Sequence, residues 1–500
     1  MEVNVLDDRI RSMEKIFSPR SIAFIGASNS IGKWGGIIFG NLVGGGYKGK
    51  IYPVNHACGV KLIQKHRAYR SVSDIPGEVD LAIFTIPAAV IPEAISECVK
   101  KGIKAGIVIT AGFAELGDDG ATLQKEMVKR ARAGGMVLIG PNGQGISVPS
   151  RNLHPWMPIF KPDPGGIGIA SQSGNVCTVL AECLAEFGFG CSKAISSGNC
   201  ADLAWADYLE YFRQDPETKV VLLYIEGLDN GREFLDAAKK CALEKPVVLL
   251  KSGRTAAGSS AAASHTGVMA GLDDVFTASC RQAGLVRAET IEDAVFAAAT
   301  FINTPLPKGR RVGIITGGGG YGVIAADAAS KIGLDLVKFS DGTIEQIRRH
   351  LPPWWAPNNP VDMVAGLGYG GPRELIPILM ESGEVDGVIL LGVGWFYHMV
   401  DAVNSKVDLF NLKDEILIKR QEHEVKYTDL LAEYSKKWEK PLLMTSNSAR
   451  LAIRHGYAGL VNLLKRNIML YPDIEDAIKA YSVLADRYHF LEREAVSAKF

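Results

Sequence analysis

One imidazole sits in a run built almost wholly of small residues. Residues 253–271 read GRTAAGSSAAASHTGVMAG, and His265 is the histidine among them. Small residues let a chain pass close to other backbones, and they give an imidazole little apolar surface to pack against. An imidazole nitrogen can act as a nucleophile and carry a phosphoryl group. A carboxylate on its other nitrogen fixes the tautomer. Glu226, in Tyr224-Ile225-Glu226-Gly227, is the natural candidate for that carboxylate. The bland alternative is an exposed histidine in a linker. Three turns able to bind an anion stand in the same chain and favour the chemical reading.

The first turn is Gly26-Ala27-Ser28-Asn29-Ser30-Ile31-Gly32. Its spacing departs from GxGxxG, and no acidic residue follows about 20 positions on, as a nicotinamide site would need. The next strand ends instead in Tyr52-Pro53-Val54-Asn55. A nucleotide-like ligand and a turn with packing glycines only both stay open. The second turn, Ala170-Ser171-Gln172-Ser173-Gly174-Asn175, could hold a phosphate with hydroxyls and amides, or be a serine N-cap. The third is Thr316-Gly317-Gly318-Gly319-Gly320-Tyr321-Gly322. Four consecutive glycines carry a large entropy penalty, and without a GK[ST] ending they form no Walker loop.

The elements that must position these turns are short β-branched strands alternating with helix-length segments. The runs include 21–25, 81–86, 105–110, 137–139, 166–170, 220–225, 247–250, 312–316 and 387–391. They are apolar on both faces, as parallel strands covered by helices are. The predicted class is α/β, in three doubly wound parallel-sheet domains. Proline-rich Ser147–Pro164 and Asn303–Gly309 read as linkers, and Asn411–Lys440 as a solvated helical insertion. The domains are drawn at 9–146, 150–302 and 308–500, with the insertion near 405–440.

Fifty-five basic and fifty-five acidic residues cancel, which gives no footprint for nucleic acid or an anionic membrane. The polar N-terminus does not read as a signal peptide, and no apolar run reaches a spanning length of ~20 residues. Eight scattered cysteines without a CxxC pair fit a reduced, cytoplasmic setting and no zinc site.

Taken in order, the segments SPRSIAFIGAS, YPVN, SDIPGEVDLAIFTIPA, ITAGFAELG, GPNGQGI, ASQSGN, SSGNCAD, YIEGLDNGREF, SHTGVMAG, GGGGYGV and NPVD resemble the NDP-forming acyl-CoA synthetases. This is the superfamily of succinyl-CoA synthetase, and the likeness is to α-type subunits of ADP-forming acetate–CoA ligases. The resemblance implies a CoA-binding Rossmann-like first domain and two flavodoxin-like domains after it. It implies that Ser28, Asn29 and Ser30 lie on the CoA phosphates, with Gly26 and Asn55 also in the CoA site. Pro87, Thr110, Ala111 and Gly112 would lie along the pantetheine, and Asn142 near the thiol. His265 would be the phosphorylated histidine and Glu226 its carboxylate partner. Ser171, Ser173 and Gly174 would open one phosphate-binding helix, and Gly318, Gly319 and Gly320 the other. The loop around His265 would travel between the CoA site and a distant nucleotide site.

Three departures stand out. PVN continues with His56-Ala57 where the family usually has Pro-Lys, which removes one cation from CoA. GPN is followed by Gly143 instead of Cys, Ser or Thr. No segment resembles the family's ATP-grasp domains. A separate ATP-grasp β subunit carrying ADP or ATP and Mg2+ is therefore expected, in a hetero-oligomer, and no metal in this chain. A non-catalytic CoA-binding or regulatory protein of the same fold is the rival reading. A nicotinamide oxidoreductase would rest on the first turn alone.

Overall fold

The computed structural model describes residues 2–57, 61–255, 257–258, 273–364, 371–394 and 414–497. Three main sheets organise them. The first contains β1 (Ser21–Ile25), β2 (Lys50–Val54), β5 (Leu81–Phe84), β6 (Ala105–Val108) and β7 (Val137–Ile139). A small hairpin, β3 (Leu62–Ile63) and β4 (His66–Arg67), lies apart from it. The strand order is β2-β1-β5-β6-β7 and every pair is parallel. Ile22, Ala23, Phe24, Leu81, Ala82, Ile83 and Phe84 are fully buried. That explains why these runs are apolar without alternation: helices cover both faces.

The second sheet contains β8 (Gly145–Ser147), β9 (Pro164–Ser171), β10 (Cys191–Ser196), β11 (Val220–Ile225), β12 (Val247–Lys251) and β13 (Val286–Ala288). Its order is β13-β12-β11-β9-β10-β8, parallel except for β8, which runs antiparallel on the edge. The third holds β14 (Val312–Thr316), β15 (Val361–Asp362), β16 (Gly387–Leu390), β17 (Leu442–Thr445) and β18 (Leu470–Tyr471), in the order β15-β14-β16-β17-β18 and all parallel. Setting the edge strand β8 aside, all three sheets share one doubly wound order. Each reverses direction once, at β1/β5, β9/β11 and β14/β16, and such switch points open crevices at the strands' carboxyl ends.

The chain divides into two compact units. One comprises Met1–Ala185 and Gly190–Ala294, with the first two sheets, and the other Glu186–Phe189 and Val295–Phe500, with the third.

Two expectations need correction. The proline-rich stretch after β8 is not an exposed linker. Val148, Leu153, His154 and Trp156 are buried, and the His154 ring lies 2.8 Å from the Ser147 hydroxyl. Asn41 donates its amide to the carbonyls of Trp156 and Pro158 at 2.8 and 3.0 Å. Prolines forbid a helix here without forbidding burial. Nor is the charged helix Asp414–Lys437 solvated all round. Glu424, Thr428, Leu431 and Ala432 form a buried stripe at helical spacing. The Asp429 carboxylate accepts from the Asn462 amide at 3.0 Å, on the neighbouring helix Ala458–Lys465.

The buried strap generates a prediction. Trp156→Ala should destabilise the unit holding the first two sheets by ~3–5 kcal/mol, the range for deleting a buried large aromatic. Denaturant unfolding followed by hydrogen exchange in that unit would measure it. A solvated linker would lose almost nothing.

Candidate functional site

A cleft of about 1250 Å³ lies within the first unit. From the first sheet it is lined by Thr85, Ile86 and Pro87 after β5, Ile109, Thr110 and Ala111 after β6, and Asn142 and Gly143 after β7. From the second it is lined by Gln172 to Asn175 after β9, Gly198 to Cys200 after β10, and Glu226 to Asn230 after β11. It therefore joins the carboxyl ends of two sheets, where open α/β folds bind ligands. Of the residues singled out in the sequence, Pro87, Thr110, Ala111, Asn142, Ser173, Gly174 and Glu226 line it.

Gly26, Ser28, Asn29, Ser30, Asn55, Gly112 and Ser171 are not among its lining residues. Their polar groups hold the surrounding loops. Gly26 donates its N–H to the Val54 carbonyl at 3.0 Å. Its φ is +97°, and a Cβ there would come within 2.6 Å of the Thr85 hydroxyl oxygen. Ser28 accepts from the Ser30 N–H at 3.0 Å. Asn29 clamps the β3–β4 hairpin: its amide donates to the Leu62 carbonyl at 3.0 Å and its oxygen accepts from the Gln64 N–H at 2.8 Å. Asn55 donates to the Ala27 carbonyl at 2.8 Å. The loop's exposed face is Asn29 to Lys33, ending at Trp34, which does line the cleft.

At the second sheet, Ser171 is buried and donates its hydroxyl to the Ser173 carbonyl at 2.6 Å, which shapes the turn from inside. The helix Gly174–Glu186 begins there. The first N–H groups of a helix have no intrahelical acceptor and attract anions. Gly174 is small because Gln144 crosses this helix start; a Cβ would come within 2.2 Å of the Gln144 side chain. Gln144 in turn donates to the Asn175 side chain at 2.7 Å. Gln172 bridges the β9/β11 switch point: its carbonyl oxygen accepts the N–H groups of Glu226 at 2.8 Å and Gly227 at 3.2 Å. From below, Lys251 donates to the Glu226 carbonyl at 2.8 Å. Burial holds the Lys251 ammonium below its ordinary pKa. Burial likewise raises the Tyr224 hydroxyl, and the neighbouring Glu226 charge adds to the rise.

A further network was not legible as a site in the sequence. One oxygen of Glu115 accepts the N–H of Gly112 at 2.6 Å and of Phe113 at 3.2 Å. Its other oxygen accepts from the Asn199 amide at 2.7 Å. Asn199 also donates to Gln124 at 3.0 Å, and its oxygen accepts from Asn142 at 3.2 Å. Burial acts to raise the Glu115 pKa, but the hydrogen bonds from Asn199, Gly112 and Phe113 outweigh it and hold the carboxyl below its ordinary value. Glu115, Asn199, Gln172 and Gln144 all lie inside segments that mark the family resemblance. Nothing in residue type alone distinguished them from loop residues.

The glycine-rich turn of the other unit stands by itself. The helix Gly319–Lys331 starts after Gly318, whose N–H and carbonyl are both tied to the Thr316 hydroxyl, at 3.2 and 3.0 Å. A Cβ on Gly318 or Gly320 would meet open space, while one on Gly319 would come within 3.0 Å of the Asp362 carboxylate. His265 lies outside the described residues, as does the stretch around it. Among the described residues no cluster of ligating side chains could hold a metal ion, and no helix is long and apolar enough to cross a membrane.

Three family models match the chain in succession: a CoA binding domain over residues 20–149, a succinyl-CoA ligase like flavodoxin domain over 164–301, and a Ligase-CoA domain over 312–405. The chain is 36% identical over 95% of its length to the α subunit of ADP-forming acetate–CoA ligase I from Pyrococcus furiosus, covering 97% of that protein. It is 42% identical over 76% of its length to the corresponding ligase II α subunit, covering 82% of that protein. It covers 49% of a longer relative, the ADP-forming acetate–CoA ligase of Methanocaldococcus jannaschii, at 40% identity. Among solved structures it is similar to a dinucleotide-forming acetyl-coenzyme A synthetase 1 of Ca. Korarchaeum cryptofilum in complex with phosphate and ADP. The TM-score is 0.80 at 30% identity, over 96% of this chain and 98% of that one.

Two outcomes follow from the geometry. Gln172→Leu removes the acceptor for two N–H groups at the cleft wall and should destabilise the unit by ~1–3 kcal/mol, measured by denaturant unfolding. The Glu115 carboxyl should titrate below the value of a free glutamate. A depressed folded pKa contributes stability that is fully present above the free value and is lost as pH falls through the folded one. Carboxyl-carbon NMR of Glu115 across acid pH checks the position, and unfolding of Glu115→Gln against pH checks the sign.

Proposed function

The chain belongs to the ADP-forming acyl-CoA synthetase family, and from that premise we propose that it is an α-type catalytic subunit interconverting acyl-CoA, ADP and phosphate with carboxylate, CoA and ATP. The observation that carries this reading is the cleft itself. It brings a CoA-domain wall, Pro87, Thr110, Ala111 and Asn142, together with the helix start at Ser173-Gly174 and the carboxylate of Glu226. A thioester and a phosphate would meet there.

In this reading a phosphate oxygen attacks the thioester carbonyl. The carbon–sulfur bond breaks and CoA leaves with the proton, giving an acyl phosphate. The imidazole of His265 then attacks phosphorus, the phosphorus–oxygen bond to the acyl group breaks, and the carboxylate departs. Glu226 holds the imidazolium that forms and fixes the nucleophilic tautomer. The N–H groups at the start of the helix Gly174–Glu186 stabilise charge on the transferred group. Ser171 acts by shaping that turn. Gly26, Ser28, Asn29, Ser30 and Asn55 build the loop whose exposed face meets the CoA phosphates. Gly112 keeps the pantetheine wall in place through Glu115. Gly318, Gly319 and Gly320 serve as a second phosphate-binding helix start.

The nucleotide and Mg2+ belong, in this proposal, to an ATP-grasp β subunit. Relatives named as α subunits support a partner of that kind, and longer relatives, about half of whose length the match covers, fit a fusion of the two. The relatives' ligase activities favour a catalytic subunit over a CoA-binding relic.

The test is phosphoenzyme formation. The purified chain, mixed with labelled phosphate and a panel of acyl-CoAs, should acquire acid-labile, alkali-stable label. His265→Ala should abolish the label and leave CoA binding within about twofold. Label that persists in His265→Ala overturns the assignment.

A further inference from the structure

The cleft contains an amide chain whose polarity is set by one carboxylate. Glu115 offers only acceptors when ionised. Its first oxygen is occupied by the backbone donors of Gly112 and Phe113. Its second therefore accepts, and the group facing it on Asn199 must be the NH2, at 2.7 Å. The Asn199 carbonyl oxygen is then turned toward Asn142 and accepts from its NH2 at 3.2 Å. Asn142 is held at φ +61° just after Pro141, with its own N–H on the Thr110 carbonyl at 3.0 Å, which fixes its backbone while the Asn199 oxygen selects which face of its amide turns inward. With its NH2 side on Asn199, Asn142 leaves its carbonyl oxygen to the cleft it lines.

We propose that Glu115 is a positioning residue that fixes the amide of Asn142 so that it presents a hydrogen-bond acceptor to the CoA chain. This rests on the reading of the cleft as the CoA site. The ligand group recognised is a donor near the end of the pantetheine. Two sources share that chemistry: an amide N–H of the pantetheine and the S–H of free CoA. Acyl-CoA keeps the first and lacks the second.

The chain can be reversed without changing its shape. In Glu115→Gln, the side-chain oxygen stays on the two backbone donors and the new NH2 faces Asn199. Asn199 must then turn its oxygen to the introduced glutamine and its NH2 to Asn142. Asn142 must in turn point its oxygen inward and its NH2 to the cleft. Half-buried Gln124, which also lines the cleft, can rotate its amide to follow. The donor of the ligand would meet a donor. Adding Asn199→Asp restores the original sense. The introduced aspartate accepts from the introduced glutamine with one oxygen and from Asn142 with the other, and Asn142 again offers its acceptor.

The experiment is calorimetric titration of CoA and acetyl-CoA into the wild-type chain, E115Q and E115Q/N199D, each shown folded by its unfolding transition. E115Q should weaken CoA binding roughly tenfold or more, as opposing a donor to a donor does. The double variant should recover to within about threefold of wild type. An equal loss for CoA and acetyl-CoA assigns the donor to the pantetheine amide; a loss for CoA alone assigns it to the thiol. Wild-type affinity in folded E115Q, or no recovery in the double variant, overturns the proposal. A wild-type chain that binds neither ligand overturns the CoA reading of the cleft, and the proposal with it.

Discussion

The cleft depends on a backbone seam between two sheets. After β7 the chain turns through Gly140-Pro141-Asn142-Gly143 and enters β8 on the edge of the second sheet. After β10 the chain returns along the same path in the opposite direction. Asn199 donates to the Pro141 carbonyl at 2.9 Å, Ala201 to Gly140 at 3.1 Å and Leu203 to Leu138 at 3.2 Å. Buried Asp202 locks the lower end, accepting from the Leu138 N–H at 2.8 Å and from Arg132 at 2.7 Å. The two segments approach so closely that side chains are excluded. A Cβ on Gly198 would lie 2.1 Å from the Pro141 oxygen, and one on Gly143 2.5 Å from the Ser196 oxygen. Everything that lines the cleft from either sheet is placed relative to this seam.

The seam gives Gly143 a reason that a family comparison by residue type misses. Its missing side chain matches the close passage of the Ser196 carbonyl. The same seam puts Asn142 and Asn199 side by side, which converts two loop amides from distant segments into one hydrogen-bonded chain. Among the described residues the local charge is negative: Glu115, Glu226, Asp229 and Glu233 line the cleft and only Lys125 opposes them. An anionic ligand there must be held by N–H groups and amide dipoles more than by ion pairing, which places the burden on backbone geometry.

The strands were legible because burial on both faces writes itself as uninterrupted apolar residues. Runs such as 21–25, 137–139, 220–225 and 312–316 coincide with β1, β7, β11 and β14. Strands whose runs are short or mixed escaped that signal. β10 contains Ser192 and Lys193, and buried Lys193 is received by Asp215 at 2.6 Å and Glu217 at 3.2 Å. β8 is three residues long and owes its existence to pairing with β10. The proline-rich strap misled for a related reason: composition reports which backbone conformations are forbidden, whereas Leu153 and Trp156 report where the segment packs. Within the site, Glu226 and the Ser173-Gly174 turn were legible as candidates at strand ends, and they line the cleft. Glu115 and Gln172 were not, because each acts through partners more than 50 residues away, Asn199 and Glu226 respectively.

The glycines fall into two physical classes, and the difference bears on what the turns are for. Gly26, Gly143, Gly174 and Gly198 are required by a left-handed φ or by a neighbour that a Cβ would strike. They explain the fold and carry no message about a ligand. Gly318 and Gly320 are required by neither: their backbone is not left-handed, and a Cβ would enter open space. Gly318 is the N-cap, where glycine is tolerated better than alanine, so of the two only Gly320, inside the first turn, carries glycine's helix penalty of about 1 kcal/mol against alanine. The Gly318 N–H is already on the Thr316 hydroxyl, so an anion at this helix start would meet the N–H groups of Gly319 and Gly320. That group would share the helix start with the Asp362 carboxylate, which already lies beside Gly319 and accepts from the Val364 N–H at 2.9 Å. A phosphoryl group there would have to be bound by backbone donors against a neighbouring negative charge. The Asp362 charge opposes such binding, so the affinity of this helix start for an anion is set by how far its N–H donors outweigh that carboxylate.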